Sequence, residues 1–198
     1  MINPPRRKKG QQTRDTIVAA ARRLLLDEGY DNFVFRRVAT EAGVEPGNVQ
    51  YYFANKRDLL WAVLLPELEN YKDRLSGVSH TGHSKYEKIE EIVTFLLSDV
   101  KSRSTLFLWL AIWGMAAHDQ EIQAITGRFY RKYVDILSSF LLSASPDLKA
   151  DKAQEIAWLI TSEFDGLMVV MRFGKPKRVV LKNLESNLAR YICDMLEQ

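Results

Sequence analysis

Apolar positions recur along almost the whole chain at the spacing of an α-helix, and no segment shows the alternation of a β-strand. Residues 13–28 carry one apolar face and end at Gly29, a residue suited to a helix C-terminus. Residues 35–42 repeat the pattern, Pro46 suits the first turn of a third helix, and Asn55 suits the N-cap of a fourth. The pattern predicts an all-α fold of about nine helices.

The later helices are separated by short polar or Gly/Pro-containing breaks. The fourth helix is predicted to continue towards Leu75, and Pro66 should kink or break it because proline removes a backbone donor. A Gly/Ser/His loop is predicted at residues 76–84. Five further helices are predicted at about residues 86–101, 105–117, 121–142, 152–173 and 178–196.

The order of the first three helices indicates a known DNA-binding arrangement. Two short helices, joined by a tight turn at Gly43, follow a longer first helix. This is the three-helix version of the helix-turn-helix. We therefore expect residues 13–58 to form a helix-turn-helix DNA-binding domain.

The composition is that of a globular protein, since 46% of the 198 residues are hydrophobic and 27% are charged. The single cysteine, Cys193, excludes an internal disulfide and favours a reducing compartment. The chain shows no signal-peptide pattern, and the apolar run at residues 106–117 is too short to cross a membrane. We expect a soluble, cytoplasmic protein without a membrane partner.

The positive charge is concentrated near the N-terminus. Residues 1–58 hold 11 lysines and arginines against 7 acidic residues, whereas the remainder holds 17 against 18. Four of these cations are consecutive at residues 6–9. We expect residues 1–12 to form a disordered basic arm, which either binds nucleic acid or is merely a solvated terminus.

The third helix has a face that suits DNA. If Val49 faces the core, Phe53 lies on the same side and Tyr52 at its edge. Outward-facing glutamine can bond adenine bidentately, asparagine reaches bases or phosphates, and tyrosine reaches phosphate. Basic residues of the neighbouring helices would neutralise backbone charge. The predicted DNA-binding residues are Arg36, Arg37, Gly47, Asn48, Gln50, Tyr51, Tyr52 and Lys56. The alternative is a protein–protein patch or an ordinary surface.

The segment "VATEAGVEPGNVQYYFANKRDLL" resembles the DNA-binding signature of the TetR family of bacterial transcriptional regulators. The resemblance implies a homodimer that places two third helices in successive major grooves of a palindromic operator. It also implies that residues 59–198 form a helical ligand-binding and dimerisation domain, and that the protein is a ligand-responsive repressor. Departures from the family pattern are Phe33 and Val34 before the second helix, Glu45 before Pro46, and Gln50, which suggests a preference for adenine.

The C-terminal part contains aromatic and acidic residues at helical spacing, and it is faintly similar to the effector domains of choline-responsive betaine-synthesis repressors. The effector would be a small molecule, cationic or apolar. A buried carboxylate needs a partner, which would be this ligand, an internal hydrogen bond or a pair across the dimer. The aromatic residues are alternatively core only. The predicted pocket residues are Trp109, Trp113, Phe129, Tyr130, Asp165 and Met168.

The last two helices carry apolar stripes suited to helix packing, and the family resemblance implies that they form the dimer. The predicted interface residues are Trp158, Leu167, Met171, Leu181, Leu184, Leu188 and Ile192.

Other functions find little support in the sequence. The chain has no metalloprotease, phosphate-loop or nucleophile-elbow motif, so we expect neither an enzyme nor a cofactor. His80 and His83 lie in a polar loop without cysteines, so we expect no metal site. The remaining alternatives are a helical dimeric interaction module and a DNA-binding protein that needs no effector.

Overall fold

The computed structural model describes residues 6–29, 32–80, 82–175 and 183–197, and for residues 6–9 it describes the backbone alone. The described part of the chain contains nine α-helices and no β-strand, which confirms the all-α prediction. The helices are α1 (Arg6–Glu28), α2 (Phe35–Ala42), α3 (Pro46–Tyr52), α4 (Lys56–Ser79), α5 (Lys85–Lys101), α6 (Arg103–Ala116), α7 (Gln120–Ala144), α8 (Ala150–Gly174) and α9 (Leu184–Met195).

The helices belong to two compact units, which do not coincide with the boundary expected after residue 58. The first unit holds the described residues up to Glu67 together with Phe107–Gly127. The second unit holds Leu68–Leu106 and the described residues from Arg128 onward. The division falls inside α4, α6 and α7. The sequence pattern could not mark it, because a continuous helix has no break at a boundary of this kind.

In the first unit, α1, α2 and α3 pack around a small apolar core. Its residues are Ile17, Ala20, Ala21, Leu24, Leu25, Phe33, Val38, Ala39, Val49 and Phe53, all at most 4% exposed. Gly43 adopts φ 66°, and its N–H donates to the carbonyls of Ala39 and Thr40, so α2 ends in a left-handed cap that few other residues tolerate. This tight turn sets the angle between α2 and α3.

Two helix boundaries correct the sequence analysis. Residues 6–12 were expected in a disordered arm, but α1 begins at Arg6 and includes them. The segment lacks a helix-breaking proline, and the side chain of Gln11 donates to Asp15 one turn on (2.8 Å). Helix α4 ends at Ser79 instead of near Leu75. The helix continues through Pro66 without a break. The loop after α4 therefore begins four residues later than predicted.

In the second unit, α5 packs against α8 and α9. The inward face of α5 consists of Ile89, Ile92, Val93, Leu96, Leu97 and Val100. The inward face of α9 consists of Leu188, Ala189, Ile192, Cys193 and Met195. Leu188 and Ile192 are thus 9% and 2% exposed within a single chain. The sequence analysis predicted both residues in the dimer interface. The structure corrects this prediction, because both are buried within one chain, where α9 packs on α5. Leu181 lies outside the described residues.

Within the described residues, no helix combines the length and apolar character that a membrane span requires.

Candidate nucleic-acid interface and effector site

Helix α3 presents a polar face to solvent because its one buried residue fixes its rotation. Val49 is fully buried and Phe53 is 3% exposed, as the sequence analysis predicted. Gly47, Asn48 and Gln50 are exposed. Tyr51 is 82% exposed. The outward direction of these four residues follows from the 100° rotation per residue in a helix.

The two adjacent tyrosines have different environments. Their rings meet edge to face with centroids 5.0 Å apart, so Tyr52 supports Tyr51. Tyr52 is half-buried, and its hydroxyl lies 3.5 Å from the position that a Cβ on Gly10 would occupy. Tyr52 thus packs towards α1, and Tyr51 is the tyrosine that projects from α3. The sequence analysis placed Tyr52 at the edge of the buried face but predicted both tyrosines to bind DNA, because the packing of α1 depends on tertiary structure.

A cation near the end of α3 was missed by the sequence analysis. The guanidinium carbon of Arg14 in α1 lies 5.5 Å from the ring centroid of Phe53, within the range of a cation–π contact. Phe53 is itself the C-cap of α3. The contact therefore places a positive charge of α1 at the end of α3. Nothing in the local sequence signals a contact between residues 39 positions apart.

Several arginines around α3 already have carboxylate partners. Arg37 donates to Glu28, which precedes α2. Arg23 donates to Glu41 at 2.9 Å, and Arg57 donates to Glu121 at 3.3 Å. These ion pairs are exposed to solvent and hence individually weak. A DNA phosphate would have to replace the carboxylate at each of these arginines. Arg36 is exposed on α2, and Lys56 is half-buried at the start of α4.

The starts of α2 and α3 lack side-chain caps. The N-cap residues Val34 and Glu45 make no capping hydrogen bond. The side chain of Asn32, two residues before Val34, donates to the carbonyl of Glu28 at 3.5 Å and so does not cap α2. The start of α4 is different, because the backbone N–H of Asp58 donates to the side-chain oxygen of Asn55 at 2.9 Å.

In the second unit, a carboxylate lies against an aromatic cluster. The hydroxyl of Tyr130 on α7 donates to Asp165 Oδ2 on α8 at 2.6 Å. Phe129 stacks on Tyr133 with centroids 6.3 Å apart, and Tyr133 meets Tyr71 of α4 edge to face at 4.8 Å. Phe129, Tyr133 and Tyr71 are all buried. The internal hydrogen bond that the sequence analysis considered for Asp165 is therefore present.

A second carboxylate borders the same cluster, since the hydroxyl of Tyr71 donates to Asp99 of α5. Sequence analysis missed Tyr71, Asp99 and Tyr133. A signal for Tyr133 existed, because it lies one helical turn beyond Phe129 and Tyr130. Tyr71 lies on α4 and Asp99 on α5, so their contact depends on tertiary structure and has no local signal in the sequence.

Burial and neighbouring groups shift the pKa values of several residues in the second unit. Burial raises the pKa of Asp165 to about 6, and the hydrogen bond from Tyr130 acts in the opposite direction. Burial also raises the pKa of Tyr133, and the negative charges of Asp165 and Asp99 raise it further. Burial raises the pKa of Glu163 on α8, whose Oε2 is a buried oxygen without a hydrogen-bond partner. A cation near Asp165 would therefore meet a poorly solvated carboxylate that is hydrogen-bonded to Tyr130, a member of the aromatic cluster.

The predicted pocket residues fall in both compact units. Phe129, Tyr130, Asp165 and Met168 belong to the second unit, where Met168 is 3% exposed. Trp109 and Trp113 belong to the first unit, with ring centroids 6.1 Å apart. The aromatic cluster around Asp165 is the part of the predicted site that the second unit contains by itself.

The solvent side of α8 carries a row of large apolar residues. Trp158, Leu159, Val170 and Phe173 are 43%, 46%, 60% and 63% exposed. Their spacing places them on one side of the helix, with the small residues Ser162 and Gly166 between them. The predicted interface residues Leu167, Met171 and Leu184 are half-buried beside or beyond this row. The sequence analysis missed Leu159, Val170 and Phe173, although they share the helical spacing of Trp158.

Comparison with known proteins identifies the helix-turn-helix and the second half of the chain separately. Residues 17–63 match the family described as bacterial regulatory proteins, tetR family. Residues 85–196 match the family described as BetI-type transcriptional repressor, C-terminal. The HTH-type transcriptional regulator BetI of Rhizobium meliloti is 25% identical over 157 residues, which cover 79% of this chain and 76% of that protein.

Two solved structures show the same fold. A transcriptional regulator of Saccharomonospora viridis in complex with choline has a TM-score of 0.65 and 20% identity, and the match covers 95% of this chain and 97% of that one. The regulator FadR of Bacillus subtilis in complex with stearoyl-CoA has a TM-score of 0.70 and 16% identity, covering 90% and 96%. At these identities the likeness shows the fold and not the ligand.

The raised pKa of Asp165 predicts how stability depends on pH. Because its folded pKa of about 6 lies above the ordinary value of 3.8, the folded state holds the proton more tightly. Protonation of Asp165 therefore stabilises the folded state fully below about pH 4, and this stabilisation is lost as the pH rises through about 6. We expect Asp165→Asn to remove this part of the pH dependence, measured by urea unfolding between pH 4 and 8. Asp194→Asn, which removes an exposed carboxylate of α9, is the control, and an unchanged pH profile in Asp165→Asn would contradict the prediction.

Proposed function

Because the chain belongs to the tetR family of bacterial transcriptional regulators, we propose that it is a ligand-responsive repressor that binds a palindromic operator as a homodimer. The observation that carries this proposal is the polar face of α3, where Asn48, Gln50 and Tyr51 project from a helix fixed by buried Val49. Binding to the bacterial chromosome places its action in the cytoplasm.

The proposed base contacts come from the exposed amides of α3. Gln50 can donate to and accept from the major-groove edge of adenine, and Asn48 can reach an adjacent base or a phosphate. Gly47, which has no side chain, allows the backbone of α3 to approach the DNA. Tyr51 and the cations Arg36, Arg37 and Lys56 contact phosphates and set the register of the helix on the duplex.

The proposed dimer uses the apolar row on α8. A row of exposed Trp158, Leu159, Val170 and Phe173 is unusual for a surface that remains in water. A second copy, related by a twofold axis, would cover it with the same row, and Ser162 and Gly166 would let the two helix backbones approach closely. Twofold symmetry also fits two half-sites about 34–36 Å apart on the operator.

The proposed effector is a small organic cation of the quaternary ammonium class. Asp165 supplies a partly desolvated negative charge, and Phe129, Tyr130 and Tyr133 supply aromatic faces around it. The match to a BetI-type repressor domain and the likeness to a regulator crystallised with choline support this class. An acyl-CoA, the ligand of the second structural neighbour, carries phosphates that a buried carboxylate would repel.

DNA binding should depend on the exposed face of α3. We expect Gln50→Ala combined with Tyr51→Ala to weaken binding by about 30-fold or more, because a good base contact alone contributes roughly 1–3 kcal/mol. The measurement is fluorescence anisotropy with a duplex that the wild-type protein selects from random DNA. Gln154→Ala with Tyr86→Ala makes the same changes at exposed positions of α8 and α5 and is the matched control. Equal loss in both double variants would count against the α3 face.

The dimer should depend on the apolar row of α8. We expect Val170→Asp to convert the dimer to a monomer at micromolar concentration, because it places a charge in a desolvated interface. Light scattering after gel filtration measures the mass, and Thr94→Asp on the exposed side of α5 is the control. A dimer that persists in Val170→Asp would place the interface elsewhere.

The effector class should be distinguishable by charge. We expect choline to raise the melting temperature of the protein and its neutral isostere 3,3-dimethylbutan-1-ol to leave it unchanged. Asp165→Asn should abolish the response, and Asp165→Glu should retain part of it, because the ligand requires a negative charge near the aromatic cluster. Stabilisation by stearoyl-CoA, or an equal response to the neutral isostere, would overturn the cationic assignment.

A further inference from the structure

Arg57, the second residue of α4, forms an ion pair with a residue distant in sequence. Its Nη1 lies 3.3 Å from Oε1 of Glu121, in the first turn of α7. Both side chains are largely exposed, at 47% and 70%. Arg57 follows the end of α3 by five residues, so it borders the surface that carries the proposed base contacts.

We propose that Glu121 holds Arg57 in place of a DNA phosphate, so that Arg57 is a phosphate-contact residue whose availability Glu121 limits. Carboxylate and phosphate oxygens accept the same fork of guanidinium donors. An exposed ion pair is weak, so the high charge density of DNA can displace it at a cost in affinity. Glu121 thereby lowers DNA affinity without blocking binding. This inference rests on the proposed DNA-binding function.

The position of Glu121 is fixed by local structure. The carboxylate of Asp119 accepts the backbone N–H groups of Glu121 and Ile122 at 2.8 and 3.2 Å, which caps the start of α7. The carboxylate of Glu121 therefore emerges from a capped first turn and not from a loose loop. A backbone held by this cap keeps the side chain of Glu121 within reach of Arg57.

The Arg57 pair differs from the other arginine pairs near α3. Arg23 and Arg37 pair with Glu41 and Glu28, which belong to the helix-turn-helix itself. Glu121 belongs to α7, the helix that carries Tyr130 nine residues further along. A change in the position of α7 would alter this pair while leaving the other two intact.

The test is a double-mutant cycle on DNA affinity. Wild type, Glu121→Gln, Arg57→Gln and the double variant are titrated against one selected duplex, by anisotropy over a series of salt concentrations. We expect Glu121→Gln to bind about threefold to tenfold more tightly than wild type. Arg57→Gln should cost more affinity in the Glu121→Gln background than in wild type. Glu121→Asp, which keeps the charge but shortens the side chain, should also bind more tightly than wild type.

Two results would overturn the inference while leaving operator binding intact. If Glu121→Gln tightens binding equally with and without Arg57, its effect is general charge repulsion of DNA and the pair has no role. If Glu121→Gln and Glu121→Asp both bind like wild type, Glu121 does not limit Arg57. A wild-type protein that binds no selected duplex would instead refute the proposed function. Unfolding by urea confirms that each variant is folded.

Discussion

The burial of Val49 and Phe53 is the constraint on which the DNA-facing surface depends. Helix α3 has seven residues, too few to be stable alone, so tertiary packing decides both its existence and its rotation. With Val49 fully buried, the neighbouring Gln50 and Tyr51 must turn outward. The polar face of α3 therefore follows from an apolar contact, and Arg14 over the ring of Phe53 adds a positive charge at the same contact.

The charges around α3 form a partly neutralised surface rather than a simple basic patch. Arg23, Arg37 and Arg57 each donate to a carboxylate of the same compact unit. In the proposed complex, DNA phosphates would replace these carboxylates, so electrostatic binding would be an exchange of partners. Such an exchange lowers the phosphate contribution to binding at every sequence alike, so the base contacts of α3 supply the discrimination between sequences.

The sequence predicted most of the helices because each depends on a local repeat, as in α2 and α5. It predicted the ends of helices less well, since α1 could extend to Arg6 and α4 to Ser79 without any local signal. The outward residues of α3 were predictable from one buried reference. The sequence did not predict the contact of Tyr71 with Asp99 or the ion pair of Arg57 with Glu121. In both pairs, residues far apart in the sequence meet only after folding.

Helices α8 and α9 show why an apolar stripe alone does not identify an interface. Both carry leucine, isoleucine or aromatic residues at helical spacing, and either stripe could in principle face a second chain. In α9, the stripe that contains Leu188 and Ile192 is buried against α5. In α8, Ile160 and Phe164 fill that inward role, and the row of Trp158, Leu159, Val170 and Phe173 stays exposed within a single chain. The exposed apolar surface, rather than the stripe itself, is the basis of the proposal that a second copy binds here.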